Sequence, residues 1–273
     1  VSYAYGLVTS IVSGLTLRSL YKTGVAQCCG SAASPNNLLG TVAACHAASV
    51  FFYGTRLVAY LAYREICLPR FRDFRERIEE RAKSRGSRLG RTPFILSCAL
   101  LYGLMCVPFL VTAKVAASSV SMVGPKWALQ GLKGAMAMTW AGFGLGAIGD
   151  VTKSIRKAQR GEDALITGGV YRWFRHPNYT GELFGWTSSC IAAFFAVILS
   201  SEQRKWWIFA PYLAASVAGA AGIGFVLTMA TSGLEERQLE KYGSTQEYKD
   251  WVKQSWAGIQ LSKKPKEPEE FSE

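Results

Sequence analysis

Blocks of about 20 consecutive apolar residues recur along this 273-residue chain, and a soluble fold has nowhere to put them. A helix of that length crosses the roughly 30 Å hydrocarbon core of a bilayer while satisfying its own backbone. Six candidate spans are read at roughly 3–21, 41–63, 93–116, 127–149, 179–200 and 206–231. The second, third, fifth and sixth are the strongest. The first is short and rich in Ser and Thr, and the fourth carries Gln130, Lys133 and many glycines. Lys133 lies two turns from its start, so its stem can reach the interface. Only 18% of residues are charged, against about a quarter in soluble domains. The expected fold is therefore all-α: a polytopic transmembrane helix bundle of about six spans. Residues 1–260 form one membrane domain, and 261–273 a polar, proline-containing tail that reads as flexible. A chain beginning at Val1 fits a processed precursor or a trimmed sequence, so a targeting peptide is not readable.

The formal charge of +12 would point to nucleic acid in a soluble protein. Here its distribution gives another account. The six-span reading places 23 of the 31 Lys and Arg residues on one face and six on the other. That asymmetry is the positive-inside pattern, with both termini on the basic face. Topology and anionic lipid explain the charge, and no nucleic-acid partner is expected. On the same face, Arg70–Lys83 places Phe71, Phe74 and Ile78 at helical spacing with Arg72–Glu76 and Arg75–Glu79 pairs, which reads as a surface helix. The seven cysteines form no paired C-x-x-C set and only two histidines exist, so no metal site is expected.

Polar residues that could carry chemistry concentrate between 149 and 186. Gly149-Asp150 ends the fourth span, and Lys153, Arg156, Lys157 and Arg160 follow at helical spacing. Pro177 disfavours helix at His176 and suits the first turn of the next helix, whose N–H groups offer an anion seat. Within that helix Tyr179, Glu182, Trp186 and Ser189 share one face. A carboxylate one turn into a membrane helix must face the interior and find a partner; Arg56, two turns inside the second span, is the candidate. Arg172 and Arg175 also fit plain interfacial anchors, and Glu182 a structural ion pair. His46 reads as a hydrogen-bonded core histidine. Asn178 heads a glycosylation-type sequon, but at a span edge on the basic side modification is not expected. In the sixth span Ala214, Ala218 and Gly222 read as a close-packing stripe. Beyond it, Thr231–Tyr248 reads as a helix leaving the membrane with alternating charges, suited to surface solvation or to closing over a polar ligand.

Gly149-Asp150, Tyr171-Arg172, Arg175 with the string HPNYTGE ending at Glu182, and SGLEERQLEKYG with Tyr248 behind it resemble one membrane-protein family. It is the largely uncharacterised family related to the steroid 5-alpha-reductase C-terminal domain, in the clan of sterol reductases and isoprenylcysteine carboxyl methyltransferases. The likeness spans about residues 50–260, including Gly54–Arg64. It implies a nucleotide-type cofactor among the C-terminal helices: NADPH in the reductases, S-adenosylmethionine in the methyltransferases. Carried over residue by residue, it implies catalytic roles for Tyr179 and Glu182. It implies cofactor contacts from Asp150, Lys153, Arg172, Arg175, His176, Asn178, Glu236, Arg237 and Tyr242. The sterol reductases bear a more basic, histidine-containing motif where this chain has Leu234-Glu235-Glu236-Arg237, a departure that weakens a sterol assignment.

Three functions follow as expectations. The first is an NADPH-dependent reductase of an activated C=C bond in a lipid or isoprenoid-like substrate. The arginine cluster suits a cofactor with three phosphates, bound without a Gly-x-Gly-x-x-Gly fingerprint. The second is an S-adenosylmethionine-dependent methyltransferase of a lipid or prenyl group. The third is a non-catalytic subunit of an organellar membrane complex. The expected partners are the bilayer, a lipophilic substrate and possible complex subunits, in a plastid, mitochondrial or endoplasmic reticulum membrane.

Overall fold

The computed structural model describes residues 2–26, 35–67, 92–118, 124–200 and 206–259, with Glu76, Glu80 and Gly90 between them. The elements are α1 (Ser2–Lys22), α2 (Pro35–Cys67), α3 (Thr92–Ser118), α4 (Lys126–Arg160), a 3-10 turn at Gly169–Arg172, α5 (Pro177–Leu199), α6 (Trp206–Tyr242) and α7 (Gln246–Gln254). Among the described residues a long helix covers each of the six segments expected to be spans. Four stretches among the described residues, Leu38–Cys67, Thr92–Ser118, Pro177–Leu199 and Trp207–Tyr242, are long and apolar enough to cross a membrane. The chain is a membrane-embedded all-α bundle. The surface helix expected at 70–83 falls outside the described residues apart from Glu76 and Glu80, both helical and exposed.

α1 shows how a Ser- and Thr-rich helix packs in such a bundle. Thr9 Oγ1 donates to the Tyr5 carbonyl at 3.0 Å and Thr16 Oγ1 to that of Val12 at 2.8 Å, so the hydroxyls are satisfied within the helix. Contacts at the helix ends fix the arrangement. Tyr3 Oη donates to Glu65 Oε2 at 2.8 Å, joining the start of α1 to the end of α2. Lys114 Nζ reaches Tyr212 Oη at 3.3 Å, joining the end of α3 to the start of α6. α1 and α2 therefore run antiparallel, as do α3 and α6.

α4 and α5 approach closely through glycines. A Cβ on Gly181 would lie 2.4 Å from the Gly142 carbonyl oxygen, and one on Gly142 would lie 2.5 Å from the Gly185 nitrogen. Gly142-x-x-x-Gly146 thus meets Gly181-x-x-x-Gly185 as small residues do in membrane helix pairs. Of the stripe expected in α6, Gly222 packs against a neighbouring helix and Ala214 and Ala218 do not. Ala214 and Ala218 are exposed, while Gly219 and Gly222 pack on Leu104 and Leu101 of α3. The face turned inward is the one carrying Phe209, Ser216 and Ile223.

His46 is the core histidine expected. It is fully buried, with Nδ1 3.1 Å from Thr112 Oγ1 and Nε2 2.7 Å from Ser189 Oγ, tying α2 to α3 and α5. His46→Ala leaves a void and strands the Ser189 hydroxyl. Thermal unfolding in detergent should show a loss of about 2–4 kcal/mol.

Candidate functional site

α4 runs almost three turns past residue 149 and stops at Gly161, whose positive φ of 92° suits glycine. α5 starts at Pro177, with His176 as its cap in a non-helical conformation, as the proline requires. Together these put the end of α4 beside the start of α5. A Cβ on Gly149 would lie 3.0 Å from the Asn178 nitrogen. The first turn of α5 is therefore packed on α4, and the anion seat expected there is crowded by it.

Arg56 is held between two carboxylates. Its Nη1 donates to Asp150 Oδ2, and its Nη2 to Glu182 Oε1 at 3.5 Å. All three side chains are about nine-tenths buried. The expected Arg56–Glu182 pair is present, and Asp150 joins it from α4. A buried arginine holding two acids suits a membrane interior, where a lone carboxylate is costly. Gly146 borders the guanidinium, and a Cβ there would press closest on the Asn178 carbonyl oxygen of α5, at 3.3 Å.

Below the triad lies an aromatic floor. The Arg56 guanidinium sits 5.2 Å from the Tyr53 ring centroid, and the Tyr53 ring packs against Tyr5, Phe143 and Trp186. Tyr5 Oη, Tyr53 Oη, Trp186 Nε1 and Arg56 Nε are buried without a well-formed hydrogen bond. Of these, only Arg56 and Trp186 figured in the reading from sequence. Tyr53 precedes Arg56 by three residues and so shares its face, a spacing that could have marked it.

Above the triad lies a basic mouth. Lys153, one turn beyond Asp150, is close enough to Asp150, Lys157 and Arg64 to interact electrostatically. Tyr179 is half-buried and is flanked at similar range by Arg64 and Arg237. Arg172 and Glu236 are exposed. Asp150, Lys153, Tyr179, Glu182 and Arg237 therefore gather around one site, with Arg56 and Arg64 added from α2.

Arg175, His176 and Tyr242 serve a second cluster. Arg175 Nε donates to Glu235 Oε1 at 3.0 Å, and His176 Nε2 donates to the same oxygen at 2.6 Å. Arg175 Nη1 also donates to the carbonyls of Val252 at 3.0 Å and Ser255 at 3.3 Å. Trp251 Nε1 donates to the Tyr171 carbonyl at 2.6 Å, and Tyr242 Oη to that of Asp163 at 2.9 Å. This clasp fastens α7 and the 161–176 segment onto α6. Burial, and then the Asp150 charge, push the Tyr171 hydroxyl well above its ordinary value, so it stays a donor, bonded at 3.2 Å to the Gly149 carbonyl. Glu235 was missed in favour of its neighbour Glu236. Glu235→Gln removes the charge facing buried Arg175. It should cost about 3 kcal/mol and open the 161–176 segment to limited proteolysis.

A family model described as "Protein of unknown function (DUF1295)" matches residues 41–255. No curated protein and no solved structure matches the chain.

Proposed function

This chain belongs to the DUF1295 family of proteins of unknown function, so from its own site we propose a membrane-embedded, NADPH-dependent reductase of an activated C=C bond in a lipid or isoprenoid-like substrate. Kinship with the steroid 5-alpha-reductase clan is part of this proposal and rests on the HPNYTGE string. The observation that carries it is the placement of Glu182: buried one turn into a membrane helix, ion-paired through Arg56 to Asp150, beneath a basic mouth. The donor set fits the cofactor. Arg64, Lys153 and Arg237 are the groups that would hold its phosphates. Bound there, NADPH supplies a hydride. The chain supplies the rest. Tyr179 donates a hydrogen bond to the substrate carbonyl, where negative charge grows as hydride reaches the β-carbon, and the enolate so formed takes a proton from water at the α-carbon. Glu182 orients that tyrosine. Arg56 keeps Glu182 and Asp150 in place. The surrounding aromatic residues exclude bulk water from the reacting end.

One observation favours a second reading. Two carboxylates face a single guanidinium, and the excess negative charge suits a cationic sulfonium, the mark of an S-adenosylmethionine-dependent methyltransferase. The readings separate on one assay. Detergent-purified protein is given NADPH and a panel of long-chain enones, and loss of the nicotinamide absorbance is followed. Turnover should appear and fall by about 10²-fold or more in Tyr179→Phe, with protein yield unchanged. Unaltered turnover in that variant would remove Tyr179 from the mechanism. Methyl transfer without NADPH oxidation would favour the second reading.

A further inference from the structure

Two tryptophans outside the long helices are exposed with their backbones joined. Trp173 and Trp256 are 63% and 44% exposed, and the Trp256 nitrogen donates to the Trp173 carbonyl at 2.8 Å. Their place in the fold says what covers them. The Trp256 ring lies 6.3 Å from that of Phe184, itself exposed on α5. Phe184 stands about 10 Å along α5 from Pro177, at a rise of about 1.5 Å per residue. α5 is one of the helices able to cross the membrane, and its 23 residues exceed the roughly 30 Å hydrocarbon core by only about 4 Å. A helical side chain leans toward the N-terminus, which brings the Phe184 ring back toward the basic face. Trp256 is therefore at or just inside the boundary between headgroups and hydrocarbon, the depth at which tryptophan is enriched.

The residues after Trp256 stay against the spans. Ala257 is buried, and a Cβ on Gly258 would lie 3.7 Å from Thr180 Oγ1 and 3.9 Å from Thr231 Cγ2, so the chain crosses the seam between α5 and α6 there. The positive φ of 87° at Gly258 suits glycine and lets the chain turn. Ile259, which is exposed, then lines an apolar groove with Leu183 and Ile191 of α5 and Val217 and Ala221 of α6. Ile191 and Val217 are exposed on helices able to cross the membrane, so this is a lipid-facing surface, and Ile259 continues it. The helix just before has the opposite character. Glu247, Lys249, Asp250 and Lys253 of α7 are exposed, while its Tyr248 and Trp251 are buried. Charges toward water beside an apolar edge continuous with the spans mark an element that lies in the membrane interface.

We propose that Trp173, Trp256 and Ile259 form a membrane anchor, inserted at the headgroup–hydrocarbon boundary of the phospholipid bilayer, that pins the clasp of α7 and the 161–176 segment to the membrane. The mechanical link is direct. The Arg175 nitrogen donates to the Trp256 carbonyl at 2.9 Å, and Arg175 Nη1 to that of Ser255 at 3.3 Å. The anchor stands whatever the site binds, and so does not rest on the reductase reading.

The test places the full-length chain in phosphatidylcholine nanodiscs containing a phospholipid with a diazirine in the first carbons of its acyl chain. After photolysis, adducts are mapped by tandem mass spectrometry. Trp173 and residues 256–259 should label at least about ten-fold above residues 249–253, and within about two-fold of Phe184. Ile259→Asp should draw the segment out of the lipid, since a charge is disfavoured there. Its labelling should fall at least about five-fold, and tryptic cleavage after Lys253 should quicken by a similar factor. Ile259→Leu, as apolar as the original, should change neither. Labelling of residues 256–259 no stronger than that of 249–253 would overturn the proposal. So would Ile259→Asp behaving as Ile259→Leu does. Shielding of both tryptophans from aqueous hydroxyl radicals without lipid adducts would overturn it too, because a second protein surface would then be what covers them.

Discussion

Gly181→Leu should yield little or no folded protein, because it forces apart the two helices that carry the site. Even the first carbon of a side chain at 181 would lie 2.4 Å from the Gly142 carbonyl oxygen and 2.5 Å from the Gly146 nitrogen. Both obstacles are backbone, so no rotamer relieves them. Overpacking in a core costs about 1–3 kcal/mol when side chains can give way. Here α4 and α5 must separate, and about 4 kcal/mol or more is expected, a large part of a typical total stability. The separation would also pull Asp150 away from Glu182, so structure and site fail together. Gly134→Ala is the control. A Cβ there meets nothing within 4 Å, and alanine is the better helix former. Size-exclusion profiles and melting curves in detergent should show aggregation for the first variant and an unchanged or slightly firmer protein for the second.

Arg56→Leu should be nearly as damaging for an electrostatic reason. It leaves Asp150 and Glu182 buried without their common cation. Removing one partner of a buried ion pair costs about 3–5 kcal/mol, mostly the penalty of the charge left behind. The combination Arg56→Leu with Asp150→Asn and Glu182→Gln removes that penalty, and should recover most of the lost stability. It should recover no turnover. Stability restored without activity would separate the folding role of the triad from its chemical one. Failure of the triple replacement to regain stability would show that Arg56 acts through packing of its stem instead.

What could be read in the sequence divides along physical lines. Hydrophobic runs identified the helices, because a membrane span must be apolar along its whole length. Glu182 pointed to its own partner, since an intramembrane acid requires a base and Arg56 stood at the right depth. Pro177 marked the start of α5 for a local steric reason. Helix phase was harder to see. Glu235 and Glu236 are neighbours of equal chemistry, and only the packing of α6 decides that Glu235 turns inward to Arg175 and His176 while Glu236 faces out. The same uncertainty left only Gly222 of the expected α6 stripe in place, with Gly219 taking the part expected of Ala214 and Ala218. The paired Gly-x-x-x-Gly motifs of α4 and α5 were visible as letters, yet their meeting depends on which helices are neighbours. Tyr5 lacked any signal of its own, because a tyrosine in a span reads as an interfacial anchor until a carboxylate is found beside it, whereas Tyr53 was marked only by its spacing of three from Arg56.

The central claim is that the basic mouth over Arg56, Asp150 and Glu182 binds NADPH. It is tested most directly by melting the detergent-purified chain with NADPH and, separately, with S-adenosylmethionine. A ligand at a hundred times its dissociation constant adds about 2.7 kcal/mol to stability. The account predicts a rise with NADPH alone, and its loss when Lys153 at the mouth is replaced by glutamate. A rise with S-adenosylmethionine alone, or with neither compound in protein shown to be folded, would contradict it.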